Sequence, residues 1–139
     1  MERLLLAAVL VAFAVGVALV LQRRRPDAPT QPRGRVPSQI DRAEFDRPEA
    51  PWLLVVFTSA DCETCAGVWD KARVLGSDDL VVQEVEAVRD RALHRRYGID
   101  AVPLVVLADA RGVVVTHLLG PVRAEQLWET VARARQAGS

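Results

Sequence analysis

The run Trp52 to Thr58 (WLLVVFT) is followed, after Ser59-Ala60-Asp61, by Cys62-Glu63-Thr64-Cys65. A compact apolar run rich in β-branched residues fits a strand buried on both faces. Asp61 is placed to act as N-cap for a helix running from about Cys62 to about Gly76. Two cysteines three apart at the start of a helix approach closely enough to form a disulfide. The first of them sits where backbone N–H groups and the helix dipole favour a thiolate. By this logic Cys62 is the exposed nucleophile and Cys65 resolves the mixed disulfide. A pair of packed, inert thiols is the alternative.

The remaining pattern sets the fold class. Residues 80–88 read as a second strand interrupted by Glu84 and Glu86, and residues 90–97 as a short helix stopped by Gly98. Residues 103–107 and 112–117 flank Ala108-Asp109-Ala110-Arg111 as a hairpin. The last helix, about 123–136, places Ala124, Leu127, Trp128 and Val131 on one stripe. Residues 40–45 add a short strand or turn at the entrance. Strands alternating with helices, then a hairpin and a helix, predict an α/β fold: a central mixed sheet with helices on both faces.

Cysteine count narrows the chemistry. The chain holds two cysteines, which excludes a multi-disulfide scaffold and a zinc site made of cysteine alone. A mixed metal site would have to recruit His94 and His117, whose spacing is not finger-like. A redox dithiol is the better reading, with no metal and no organic cofactor. Formal charge is zero, with 18 basic and 18 acidic residues. No nucleic-acid partner is expected without a basic face on the folded part.

The N-terminus is of another kind. Residues 4–21 (LLLAAVLVAFAVGVALVL) are unbroken apolar sequence. As a helix they would reach about 27 Å, close to the ~30 Å hydrocarbon core of a bilayer. A buried soluble helix is disfavoured because the run has no polar stripe. Ala12-Phe13-Ala14 resembles a signal-peptide cleavage site, but apolar residues continue past it, so an uncleaved transmembrane anchor is favoured over a leader. Arg23, Arg24 and Arg25 follow the run, and the positive-inside rule then places the C-terminal domain on the cytoplasmic side. Residues 22–37 (QRRRPDAPTQPRGRVP) hold four prolines and too few apolar residues for a core, and read as a semi-extended spacer.

Together, WLLVVFTSA leading into CETC, then YGIDAVP, the hairpin, Gly120 and an amphipathic last helix resemble the thioredoxin family over about ninety residues. The resemblance implies a cis bond at Val102-Pro103, with Pro103 shaping a substrate groove beside the dithiol and the Val102 backbone pairing with an incoming peptide. Tethered members of that family often work outside the membrane, which opposes the arginine count. Departures are equally specific. The family's Trp before the first cysteine is Asp61 here, and its Gly-Pro between the cysteines is Glu63-Thr64. Its buried aspartate falls on Val56, and its partly buried lysine aligns with Glu84. Asp61 and Glu63 oppose the helix dipole at Cys62, and Glu84 is a candidate proton acceptor for Cys65.

The expectation is an N-terminal transmembrane anchor (1–22), a Pro/Arg-rich linker (23–38) and a thioredoxin-like domain (39–139). Its expected activity is thiol–disulfide exchange in the reducing direction, on protein disulfides, with electrons from an external dithiol donor. A redox-inert binding module for a membrane partner is the first alternative. Metal delivery through Cys62, Cys65 and His117 is the second.

Overall fold

A computed structural model of the chain describes residues 34–138, together with Met1, Phe13, Val15 and Gly16. Apart from those few positions, the expected anchor and the linker up to Arg33 lie outside the described residues. Among the described residues no helix is long and apolar enough to cross a membrane.

The domain is one four-stranded sheet with helices on both faces. In chain order come β1 (Trp52–Thr58), α1 (Cys65–Arg73), β2 (Leu80–Glu86), α2 (Arg91–Arg96), β3 (Leu104–Ala108), β4 (Val114–Leu119) and α3 (Ala124–Ala137). The spatial order is β2-β1-β3-β4. β1 pairs parallel with β2 and antiparallel with β3, and β3 pairs antiparallel with β4. β1 is therefore central, and its seven residues are all buried, which explains the continuous apolar run.

Period-two alternation splits β1 between two cores. Trp52, Leu54 and Val56 join Val105 and Leu107 beneath Val68 and Ala72 of α1 and Leu127 and Val131 of α3. Leu53, Val55 and Phe57 join Val106 beneath Ile40, Phe45, Leu93 and Tyr97. Full burial of a side chain such as Phe57 contributes about 1.5–3 kcal/mol.

The second core is closed by the segment leading into β1. Val36 packs on it, Gln39 forms a bridge with Val113, and the Ile40 amide donates to the Gly112 carbonyl at 2.8 Å. A single 3-10 turn, Arg42–Glu44, follows, so residues 40–45 are a turn with a one-residue bridge before it. The Tyr97 hydroxyl donates to Glu44 and accepts from the Asp41 amide, fastening this turn to the end of α2. Burial, with the Glu44 hydrogen bond, pushes the Tyr97 phenol up to about 12.

Several boundaries differ from the sequence expectation. The first helix begins at Cys65, not Cys62, and ends at Arg73. Asp61 makes no capping bond: Thr64 stands at the N-cap position, also without a side-chain bond. The Cys65 amide instead closes a tight turn onto the Cys62 carbonyl at 3.3 Å, so the helical ladder starts only after it. β2 stops at Glu86 because the Glu86 carboxylate accepts from the Val88 and Arg89 amides and turns the chain. The hairpin strands start one or two residues late, and a bulge lies at Leu107/Ala108. Trp128, expected on the core stripe of the last helix, is 44% exposed. Its indole N–H donates to the Lys71 carbonyl at 3.0 Å, which holds the ring at the rim between α1 and α3.

Candidate redox site

Cys62 and Cys65 stand where β1 leaves the sheet and α1 begins. After Thr58 the chain turns: the Cys62 amide donates to the Ser59 carbonyl at 3.1 Å, and the Ala60 amide to the Glu86 carboxylate at 3.2 Å. The cysteines form a disulfide, with Cα atoms 5.5 Å apart. Their environments differ. Cys65 is 2% exposed, whereas Cys62 is half-buried, with its sulfur 3.9 Å from the Thr64 hydroxyl. Cys62 is thus the more exposed residue of the pair and Cys65 the buried one.

The loop before β3 lies at the same end of the sheet. Val102-Pro103 is a cis peptide bond, and Pro103 is buried. Leu104, the next residue, pairs with Phe57, so Pro103 lies at the end of the sheet that carries the dithiol. The Gly120 amide donates to the Pro103 carbonyl at 2.8 Å and ties this loop to the end of β4. Val102 is half-buried beside it.

Carboxylates crowd this end. Asp61 and Glu63 are exposed and make no ion pair among the described residues. Glu84 pairs in register with Val56, on the sheet face that α1 covers. The position that would carry a buried aspartate is thus apolar, and the acid stands one strand over. The Thr58 hydroxyl donates to Glu84 Oε1 at 2.8 Å, and Arg89 pairs with its other oxygen at 3.6 Å.

Glu86 accepts from three backbone amides, those of Arg89, Val88 and Ala60. The amide of Arg89 chiefly, then those of Val88 and Ala60, hold its carboxyl below the usual range against the opposing effect of desolvation. At Asp90 desolvation pushes upward most strongly. The hydrogen bonds from Arg89 and from the Glu86 amide, with the Arg89 charge, together still leave this carboxyl below its ordinary value. Arg89 is raised in turn, first by its hydrogen bond to Asp90.

Sequence reading singled out Cys62, Cys65, Asp61, Glu63, Glu84, Val102 and Pro103, and all seven fall on segments at the dithiol end of the sheet. It missed Thr58, Glu86 and Arg89. The signal for Glu86 was available: Glu84 and Glu86 are two apart on one strand and therefore share a face. His117 pairs in register with Val106 on β4, and among the described residues no three His, Cys, Asp or Glu side chains group to hold a metal.

No protein-family model matches this chain, and no curated protein sequence matches it. Solved structures do. A variant thioredoxin from Halobacterium salinarum NRC-1 superposes with a TM-score of 0.57 at 20% identity, covering 77% of this chain and 96% of its own. A structure described as that of a malarial protein matches with a TM-score of 0.52 at 14% identity, over 60% of this chain and 97% of its own. With the mixed four-stranded sheet, the cysteine pair at the end of β1 and the cis proline at the start of β3, the chain has a thioredoxin-like fold.

Proposed function

We propose that this protein is a membrane-anchored thiol–disulfide oxidoreductase that reduces protein disulfides through Cys62 and Cys65. The observation that carries the reading is the asymmetric pair: a closed disulfide between a half-buried Cys62 and a buried Cys65, at the end of the sheet where Pro103 also lies. In the reduced protein the Cys62 thiolate attacks a substrate disulfide, forming a mixed disulfide and releasing one substrate thiolate. The Cys65 thiolate then attacks Cys62 Sγ and releases the second. Two electrons pass to the substrate, and the Cys62–Cys65 disulfide is left. The chain has no other cysteine, so an external dithiol must return the two electrons. No metal or organic cofactor takes part in this scheme.

Cys65 must lose a proton for the second step. Glu84 is assigned as the acceptor, because it shares the α1-covered face and is oriented by Thr58 and Arg89. Val102 and Pro103 are assigned to hold the substrate chain against the dithiol. A reducing role follows from the charge around Cys62: a thiolate that is not stabilised leaves the disulfide harder to reduce. In this reading residues 4–21 anchor the chain in the bilayer, and the Arg23 to Arg25 cluster supports a domain on the cytoplasmic side.

Turnover of an insulin-type disulfide by the reduced protein tests the reading. The parent should reduce it, Cys62→Ser should be inactive, and Cys65→Ser should stall as a covalent mixed disulfide. A parent chain that binds such a partner without reducing it would instead be a redox-inert module, the reading favoured by the apolar Val56.

A further inference from the structure

The residues around the dithiol carry one sign of charge far in excess of the other. Four segments meet at this end of the sheet: 58–64 after β1, 84–90 at the end of β2, 98–103 before β3, and 119–121 after β4. They contain Asp61, Glu63, Glu84, Glu86, Asp90 and Asp100, against the single guanidinium of Arg89. Arg35 approaches from outside these segments and brings a second guanidinium: its amide donates to Asp100 at 2.7 Å and its side chain lies against Gly98. Arg89 is already shared between Glu84 at 3.6 Å and Asp90 at 2.8 Å. Asp61 and Glu63, which flank Cys62, are exposed and have no ion-pair partner among the described residues.

These charges differ in kind. Glu86 and Asp90 are consumed in the fold, capping amides and orienting Arg89. Among the described residues, the Asp61 and Glu63 carboxylates accept no hydrogen bond. Neither caps α1, and neither turns the loop through its side chain. The fold does without these two carboxylates; beside the thiol they disfavour the thiolate, which favours the reducing direction argued above. The same exposed charges face any partner that approaches Cys62, so charge complementarity to that partner is their second physical use.

We infer that Asp61 and Glu63 are specificity-determining residues, selecting polypeptide substrates whose disulfide is flanked by lysine or arginine. This rests on the exchange reading above and adds the chemical class of the substrate. A basic residue on either side of the target cysteine comes to lie against Asp61 and Glu63 as Cys62 attacks. The same two carboxylates repel a disulfide flanked by acidic residues.

The test uses the full-length protein in detergent and two synthetic peptides. Each peptide holds one intramolecular disulfide, and the two are identical except for a pair of lysines or a pair of glutamates flanking the attacked cysteine. Rates are divided by those with dithiothreitol, whose attacking thiolate carries the same charge as the Cys62 thiolate but no flanking carboxylates, which removes the peptides' own difference in reactivity. At low ionic strength the lysine peptide should show a normalised kcat/KM roughly tenfold above the glutamate peptide. That ratio should shrink to about twofold in 0.5 M salt, and likewise in Asp61→Asn, Glu63→Gln. Because it is a ratio, any change of Cys62 reactivity in the variant cancels. Equal normalised rates at low salt, or a preference that survives in the double variant, would overturn the inference. Failure to reduce either peptide, while dithiothreitol opens both, would overturn the exchange reading and this inference with it.

Discussion

At the scale of single residues, Cys62 is governed by what stands beside it. The first helical residue is Cys65, so Cys62 lies a turn ahead of the helix and is not within it. The favourable effect of a helix N-terminus, about 0.3–1 kcal/mol at an exposed site, falls off within a turn. A carboxylate about 7 Å from a thiolate, at an effective dielectric near 40–80, opposes it by roughly 0.6–1.2 kcal/mol before screening, and Cys62 has one such neighbour on each side in sequence. The carboxylates prevail. An Asp61→Asn, Glu63→Gln variant should therefore have a more acidic Cys62. Its disulfide should be easier to reduce. Thiolate absorbance against pH, with a glutathione equilibrium, measures both. An unchanged pKa at low salt would remove the electrostatic reason for a reductant. The residues in this argument were legible as sequence, since C-x-x-C with its neighbours is contiguous. What was not legible was Asp61's freedom from capping, because a side-chain bond depends on the path of the turn.

At the scale of elements, legibility followed the range of the cause. β1, the hairpin and the last helix declare themselves through their own periodicity, and all are present within a residue or two. Their ends were misplaced where the terminating contact is made by side chains. β2 was read through to Val88, but Glu86 folds its carboxylate onto the Val88 and Arg89 amides and on to Ala60 of the neighbouring loop. Trp128 obeys the helical period, yet its N–H seeks the Lys71 carbonyl on another helix. A pattern within one element does not contain such a partner.

The Glu86 cap has a consequence in acid. Its carboxyl is held below its ordinary value of 4.5, first by the Arg89 amide, and Asp90 is likewise held below 3.8. A group with a depressed folded pKa contributes stability that is fully present above its unfolded pKa and lost as pH falls through the folded one. Urea midpoints should thus be level near neutrality and fall below about pH 4.5. Glu86→Gln should be less stable than the parent at neutral pH and should show a shallower acid decline. Parallel curves for the two proteins, offset or not, would mean that the turn is not held by the ionised carboxylate.

At the scale of the whole molecule, the question is how the redox domain is joined to the apolar N-terminus. The folded unit begins earlier than composition implies. Gly34 lies against Leu119, the Arg35 amide donates to Asp100, Val36 packs on the core, and Ile40 is 1% exposed. A proline- and arginine-rich stretch reads as spacer because its partners are more than sixty residues away. Gly34 and Arg35 therefore lie at the dithiol end of the sheet: Leu119 pairs with Leu104 next to Pro103, and Asp100 lies three residues before Pro103.

This divides the N-terminus into a part that holds the fold and a part proposed to hold the membrane. A chain starting at Pro32 should be soluble and fold with the parent's urea midpoint. One starting at Asp41 loses Ile40, Val36 and the Gln39–Val113 bridge, and should be destabilised by at least ~2–5 kcal/mol, the usual cost of emptying one large buried aliphatic site. The full chain should stay with membranes through high-salt and alkaline carbonate washes, because an apolar span cannot be displaced by screening or by pH. The chain starting at Pro32 should be released. Release of the full chain by carbonate would refute the anchor while leaving the dithiol chemistry intact. An unchanged midpoint on cutting at Asp41 would refute the structural role of residues 34–40.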